Sequence, residues 1–433
     1  MEIKTVTVIG ANGAMGRGVA AIFASFGDAR VNMVARRMED AEASLALSAS
    51  TVRSGSVADR MRAMDYSRLE ECVAESDLVF ESVAEDASVK ADVLARVGAA
   101  ARPGTALCSG TSGLSLTSMA EVLPDVLKAS FMGVHFFNPP YVMRLCELTA
   151  TPYTDPGFAD DMAAYLSGKL RRAVVRCRDL PAFLGNRVGF QLINSAMLAS
   201  EGVTGGAAYI DSLLGPFTGR AMPPIATADF VGLDVHAAIV RNLGDNTDDW
   251  AHDSFVLPDT CEKLLASGRL GGKSKGGYFS KDAGGDGPAR RLRFDPGSDS
   301  YIDRELFDLP FRDSMVASLR EGDYAGAAHA LAEDSSEAAD LCLRFLLEYV
   351  AYGLWCGIEV SGGAADADVA MAEGFGWCPP LAMADFLAPA GGFGALARQR
   401  LPKDLLDSMD FERLEAAVRP SGYDYRPFMR ARA

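Results

Sequence analysis

Short apolar runs alternate with amphipathic stretches over the first 180 residues. Thr5-Val-Thr-Val-Ile-Gly10 reads as a buried strand, and the glycine-rich break after it opens a helix over Met15–Phe26. Val31–Val34, Asp77–Ser82 and Ala106–Cys108 read as further strands, with helical stretches at Ser88–Ala100 and Leu116–Leu123. Strands that are apolar throughout, spaced by helices, predict a parallel sheet covered on both faces. Residues 1–180 are therefore expected to form a doubly wound α/β domain.

The pattern becomes strongly helical after Pro181, and that part contains a repeat. Pro223-Pro-Ile-Ala-Thr-Ala-Asp-Phe230 recurs 156 residues later as Pro379-Pro-Leu-Ala-Met-Ala-Asp-Phe386, with six of eight positions identical. The flanks echo it, with Ala207-Ala-Tyr-Ile-Asp211 before the first and Ala364-Ala-Asp-Ala-Asp368 before the second. Such agreement predicts a duplicated helical module. The division expected is 1–180 for the α/β domain, 181–282 and 335–433 for the two helical copies, and 283–334 for a linker. The linker opens on the Gly- and Asp-rich run Asp282-Ala-Gly-Gly-Asp-Gly-Pro288 and carries some helix.

Length and composition set limits on partners and place. A chain of 433 residues exceeds one compact core. A formal charge of −16 makes nucleic acid and anionic membranes poor partners. No uninterrupted apolar run reaches the ~20 residues of a membrane span. With the first strand starting almost at Met1, no secretory leader is expected. The eight cysteines form no CxxC pair and no metal-like spacing with histidine, so buried thiols, no metal and a cytoplasmic location are expected.

The break after the first strand is Gly10-x-x-Gly13-x-x-Gly16, the spacing of a dinucleotide fingerprint, with Ala14 and Met15 in its turn. The first glycine permits the tight turn, the second lets the backbone approach the pyrophosphate, and the third allows helix–strand packing. An NAD site would place an acidic residue at the end of the second strand to bond the ribose 2′-hydroxyl. Ala35 stands there, followed by Arg36 and Arg37. Losing the carboxylate removes repulsion with a 2′-phosphate, and an arginine fork pairs with one, so NADP is favoured. The alternative is that these arginines are solvated and Glu39 or Asp40 serves the ribose.

One of only four histidines, His135, lies in Gly133-Val-His-Phe-Phe-Asn-Pro-Pro140, twelve residues before Glu147. Histidine suits acid–base work because its ordinary pKa of about 6.5 lets it take and give a proton near neutrality. A satisfied core histidine is the other reading of an imidazole among Phe136, Phe137 and Pro139. The segment resembles the active-site histidine segment of the 3-hydroxyacyl-CoA dehydrogenase family, and in particular its 3-hydroxybutyryl-CoA dehydrogenases. The likeness runs through the first 280 residues in order and spacing. The remainder resembles a second copy of that family's C-terminal helical domain and includes Gly374-Phe-Gly-Trp377.

The resemblance implies a Rossmann domain followed by two all-α domains of the 6-phosphogluconate-dehydrogenase type. It implies interconversion of a 3-hydroxyacyl-CoA and a 3-ketoacyl-CoA, in fatty-acid metabolism and β-oxidation, with NAD as the usual cofactor. His135 would remove the hydroxyl proton and Glu147 would orient it. Ser112 and Asn186 would contact the substrate. Glu85, Lys90, Asn138 and Lys273 would contact the cofactor. The chain departs from the family pattern at Gly110, Gly113 and Ala182. Its 39–76 segment, where the family has a helical hairpin that grips coenzyme A, is also short. Rival readings are a dehydrogenase of a free hydroxy acid or sugar acid, and a cofactor-binding protein without catalysis. Two helical copies in one chain could cover one another as two subunits would, which predicts a monomer with an internal pseudo-dimer.

Overall fold

Eight strands form the sheet of the first unit: β1 (Thr5–Ile9), β2 (Arg30–Ala35), β3 (Met61–Asp65), β4 (Leu78–Glu81), β5 (Ala106–Ser109), β6 (Phe131–Phe136), β7 (Leu145–Ala150) and β8 (Ala173–Cys177). The computed structural model describes residues 1–274, 276–282 and 290–432. It divides into two units, Met1–Phe183 and Leu184–Ala433.

The strand order is β3-β2-β1-β4-β5-β6-β7-β8. The strands from β3 through β6 in that order are parallel, β7 runs against β6, and β8 is parallel to β7. β1, β4, β5 and β6 are buried along their whole length, which is why β1, β4 and β5 read as apolar runs, whereas β6, interrupted by Gly133 and His135, went unread as a strand. The chain leaves β1 to build one half of the sheet and returns at β4 to build the other. The carboxyl ends of β1 and β4 therefore flank a switch point, where open α/β sheets bind ligands.

Two expectations need correction here. The 39–76 segment, expected as a shortened helical hairpin between two strands, contains a strand of its own. Helix Met38–Val52 and a short turn of helix, Gly55–Ala58, lead into the edge strand β3, and helix Leu69–Glu75 follows it. β3 went unread because Met-Arg-Ala-Met-Asp alternates only weakly and mostly half-buries its side chains, as an edge position allows. The stretch expected as a linker carries β10 (Arg290–Asp295), β11 (Ser300–Asp303) and helices Pro310–Glu321 and Tyr324–Ala332. β10 lies between β11 and β9 (Phe279–Asp282) in an antiparallel sheet. Residues 283–289 of that stretch lie outside the described residues.

In the second unit, helices Gly185–Ser200 and Glu337–Cys356 are buried over most of their length. The continuous helical stretch Glu337–Ser361 is long and apolar enough to cross a membrane by length and composition, with a mean hydropathy of 1.4. Yet 72% of its most apolar window is buried inside the unit, as in a core helix.

The sequence repeat reappears as a repeated hydrogen bond. Asp211 accepts from the N–H groups of Ile225 and Ala226, both at 2.9 Å, at the start of helix Pro224–Val231. Asp368 accepts from Leu381 N–H at 2.8 Å, at the start of helix Pro380–Leu387. Each carboxylate satisfies amides that a helix start leaves without partners. The segments before these two helices meet each other: Cys378 N–H donates to Gly219 O at 2.7 Å, and Arg220 pairs with Trp377 in an isolated bridge. The Arg220 guanidinium is buried over the rings of Tyr349 (4.8 Å) and Trp377 (5.2 Å).

Candidate active site

The turn after β1 is built for close approach. Gly10 has φ +81°, and a Cβ on it would lie 2.3 Å from Ser82 O. A Cβ on Gly16 would lie 2.5 Å from Gly10 O. At Gly13 an added Cβ would meet only Gly10 O at 3.5 Å, so the protein itself does not demand glycine there. The helix that follows, Ala14–Ser25, starts without a side-chain cap and without an acidic residue in its first turn. Ala14 and Met15 supply that first turn, whose amides and dipole favour a negative charge. The cradle fits a dinucleotide pyrophosphate.

At the end of β2, Ala35 is buried and Arg36 and Arg37 are exposed. Arg37 is engaged: it holds Glu39 at 2.8 Å and forms two 2.9 Å bonds to Asp40. That pairing keeps the Asp40 carboxyl below its usual range. Arg36 makes no ion pair or hydrogen bond among the described residues.

His135 and Glu147 face each other across the antiparallel β6–β7 ladder. His135 Nδ1 lies 2.8 Å from Glu147 Oε2, with both side chains buried. Phe137 meets the imidazole edge-on at 4.7 Å between centroids, and Phe183 lies at 5.7 Å. A carboxylate on Nδ1 fixes the tautomer and leaves Nε2 as the basic nitrogen. The twelve-residue spacing read from the sequence is thus a return of the chain, through residues 137–144, that sets the carboxylate opposite the imidazole.

Glu85, Lys90 and Ser112 are brought together by a residue that sequence reading missed. Glu81, the last residue of β4, accepts from Lys90 Nζ (2.8 Å), Val83 N–H (2.7 Å) and Ser109 Oγ (2.7 Å). Lys90 Nζ also lies 3.2 Å from Glu85 Oε2. Glu85 Oε1 in turn accepts from Ser112 N–H (2.7 Å) and Thr111 Oγ1 (2.5 Å). The Glu81 and Lys90 side chains are each 1% exposed, so Lys90 is enclosed by carboxylates rather than projecting from its helix. Glu85 stands just before that helix, Ala87–Ala100, and not on it. A carboxylate ending an apolar, doubly covered strand must find a cation. That rule applied to Leu78-Val-Phe-Glu81 was the available signal.

Asn138 is exposed just beyond β6. Asn186 and Lys273 belong to the second unit. Asn186 is buried in the first turn of helix Gly185–Ser200. Lys273 pairs with Asp234 at 2.5 Å. Beside Asn186, Arg187 holds Asp249 at 2.6 Å, and Tyr352 from the second copy donates to the same carboxylate at 2.9 Å. Among the described residues no cluster of histidine, cysteine and carboxylate side chains could hold a metal. All eight cysteines are free and buried.

Comparison with known proteins places this geometry. Residues 5–180 match the family described as 3-hydroxyacyl-CoA dehydrogenase, NAD binding domain, and residues 183–281 match its C-terminal domain. A probable 3-hydroxyacyl-CoA dehydrogenase of Bacillus subtilis is 29% identical over 310 residues, which is 71% of this chain and 38% of that protein. A probable 3-hydroxybutyryl-CoA dehydrogenase of the same organism is 32% identical over 289 residues, 64% of this chain and 98% of that protein. The chain thus spans little more than a third of one relative and nearly all of the other. The crystal structure of 3-hydroxybutyryl-CoA dehydrogenase from Escherichia coli K12 covers 98% of this chain and 97% of its own. Its TM-score is 0.68 at 20% identity, a likeness of fold that includes both helical copies.

Proposed function

The chain belongs to the 3-hydroxyacyl-CoA dehydrogenase family, and on that premise we propose that this oxidoreductase interconverts a 3-hydroxyacyl-CoA and the 3-ketoacyl-CoA, with His135 as general acid–base. The observation that carries the assignment is the 2.8 Å bond from His135 Nδ1 to Glu147 Oε2 in a buried, aromatic-walled setting. When bound, the nicotinamide supplies the hydride acceptor for C3 of the substrate. His135 Nε2 takes the hydroxyl proton as the carbonyl forms, and Glu147 stabilises the imidazolium that results. By the family pattern, Ser112 is a substrate contact and Asn186 is another. In reduction the same proton returns from Nε2 to the new hydroxyl.

Gly10, Gly13, Ala14, Met15 and Gly16 would hold the pyrophosphate; Glu85, Lys90, Asn138 and Lys273 are the further contacts that the family pattern supplies. The cofactor is read as NADP. Arg36 is exposed and uncommitted at the place where an NAD site needs an acid, and a guanidinium there pairs with a 2′-phosphate. Arg37, already bound to Glu39 and Asp40, is a weaker candidate. The reduced state of the NADP pool makes reduction of the 3-ketoacyl form the working direction. Eight buried free thiols suit a reducing compartment, the cytoplasm. The two helical copies replace a second subunit, so the protein acts as a monomer.

Acetoacetyl-CoA reduction followed with NADPH and with NADH tests the proposal. Turnover that depends on the CoA moiety supports it. Equal turnover of free acetoacetate would redirect it to a free hydroxy-acid dehydrogenase.

A further inference from the structure

The loop from Ser109 to Ser112 is pinned at both ends by one buried charge cluster. At its start, Ser109 Oγ donates to Glu81 Oε2 at 2.7 Å. At its end, Ser112 N–H donates to Glu85 Oε1 at 2.7 Å. The two carboxylates are joined by a single ammonium, Lys90 Nζ, at 2.8 Å from Glu81 and 3.2 Å from Glu85. Between the pins, Gly110 N–H donates to Glu81 O at 2.8 Å, and a Cβ on Gly110 would strike the Phe80 ring at 2.8 Å.

Glu85 is 42% exposed and has water as a competing partner, whereas Lys90 and Glu81 are sealed at 1% each. A buried ammonium without its carboxylates is costly, so Lys90 cannot leave the place that Glu81 gives it. From that place it holds Glu85 Oε2, which turns Oε1 toward the Ser112 amide. Folding alone would need one carboxylate for one lysine. The second carboxylate reaches forward to the loop that carries Ser112, whose hydroxyl makes no hydrogen bond among the described residues.

We propose that Glu81 is a positioning residue for the reaction, acting through Lys90 and Glu85 to fix the Ser112 hydroxyl where the substrate oxygen binds. The proposal rests on the reading of Ser112 as a substrate contact. Removing the charge in Glu81→Gln frees Lys90 to shift toward Glu85 and loosens Ser112, while His135 and Glu147 on β6 and β7 are untouched.

A double-mutant cycle on the full chain tests it, with turnover of acetoacetyl-CoA and cofactor affinity as readouts. Ser112→Ala is expected to lower kcat about 10-fold. Glu81→Gln should lower kcat, read at saturating cofactor, by a similar factor, and should also raise the cofactor Kd, because Lys90 and Glu85 are read as cofactor contacts. In the Ser112→Ala background, Glu81→Gln should cost less than about 2-fold, because residues that act through one group are not additive. Equal losses in both backgrounds would overturn the relay and leave Glu81 a fold-maintaining charge. Wild-type turnover in Ser112→Ala would overturn the reading of Ser112 and the relay together. Should Glu81→Gln fail to fold, Ser109→Ala, which removes one donor to Glu81, takes its place in the cycle. A loss that vanishes in the Ser112→Ala background then supports the relay, and an equal loss in both backgrounds overturns it.

Discussion

His135 and Glu147 occupy directly opposed positions of an antiparallel ladder, with Nδ1 and Oε2 at 2.8 Å. Strand pairing, rather than a flexible loop, sets that distance, so the fold itself orients the imidazole. His135→Gln should lower turnover by roughly 10²- to 10⁴-fold, the usual worth of a general acid–base, with cofactor affinity unchanged. Glu147→Gln keeps the shape and loses the charge, and should cost about 10- to 100-fold. Steady-state kinetics with a cofactor titration checks both. Unchanged turnover in His135→Gln would remove the histidine from the mechanism.

Arg36 and Arg37 are neighbours with different duties. Arg37 is spent on Glu39 and Asp40, and Arg36 is not. On the NADP reading, Arg36→Ala should therefore lower the ratio of NADPH to NADH affinity by about 10-fold or more, and Arg37→Ala by much less. Fluorescence titration of both cofactors against wild type and the two variants measures this. Tighter binding of NADH than NADPH by the wild type, with no response to Arg36→Ala, would sink the NADP reading.

Much of the first unit is visible in the chain because β1, β4 and β5 are covered on both faces and need unbroken apolar runs. The glycine turn and the His135–Glu147 spacing are equally legible, since each is a local pattern. β3 and β8 are harder to read, because only part of each is buried and the alternation is weak. Glu81 escapes notice for another reason: its partners, Lys90 and Ser109, stand nine and 28 residues away, and only the sheet brings them together. The repeat is legible because its matching flanks include Asp211 and Asp368, each of which accepts from an amide at the start of the following helix.

His236 should give the stability curve a distinct acid limb. It is fully buried, with Nε2–H donating to Asn194 Oδ1 at 2.9 Å and Nδ1 without a partner among the described residues. Burial pushes its pKa down to about 3, well below the value of an unfolded chain. The neutral form is the folded one, so its contribution is complete above pH ~6.5 and is lost as pH falls toward the folded value. Asp211 and Asp229, pushed up by burial to about 7 and about 6, slope the opposite way, so the total curve mixes signs. The difference between wild type and His236→Gln isolates the histidine. Urea midpoints should show the wild type losing about 1.4 kcal/mol per pH unit more than the variant across that window. Parallel curves would contradict the depressed pKa.

On the proposal that the two helical copies cover one another, the chain needs no second one. Light scattering over a range of concentrations should return the mass of one chain. A mass of two chains that persists on dilution would contradict the internal pseudo-dimer.

The contact between Gly189 and Phe375 tests whether the two copies fold as one body. Gly189 lies on helix Gly185–Ser200 of the first copy, and Phe375 belongs to the Gly374–Trp377 segment of the second. A Cβ on Gly189 would stand 2.3 Å from the Phe375 ring, which is itself packed on Trp377 at 5.1 Å between centroids. Gly189→Ala should therefore cost about 1–3 kcal/mol by overpacking, although alanine is the better helix former. Phe375→Leu vacates part of that space, so the double variant should recover much of the loss, with a coupling of about 1 kcal/mol or more. Urea unfolding followed by tryptophan fluorescence and by circular dichroism measures the four proteins of the cycle. Coincident transitions with strong coupling mean that the copies share one cooperative core. Additive losses, or a separate transition for residues 335–433, would mean that the second copy is a neighbour rather than a partner.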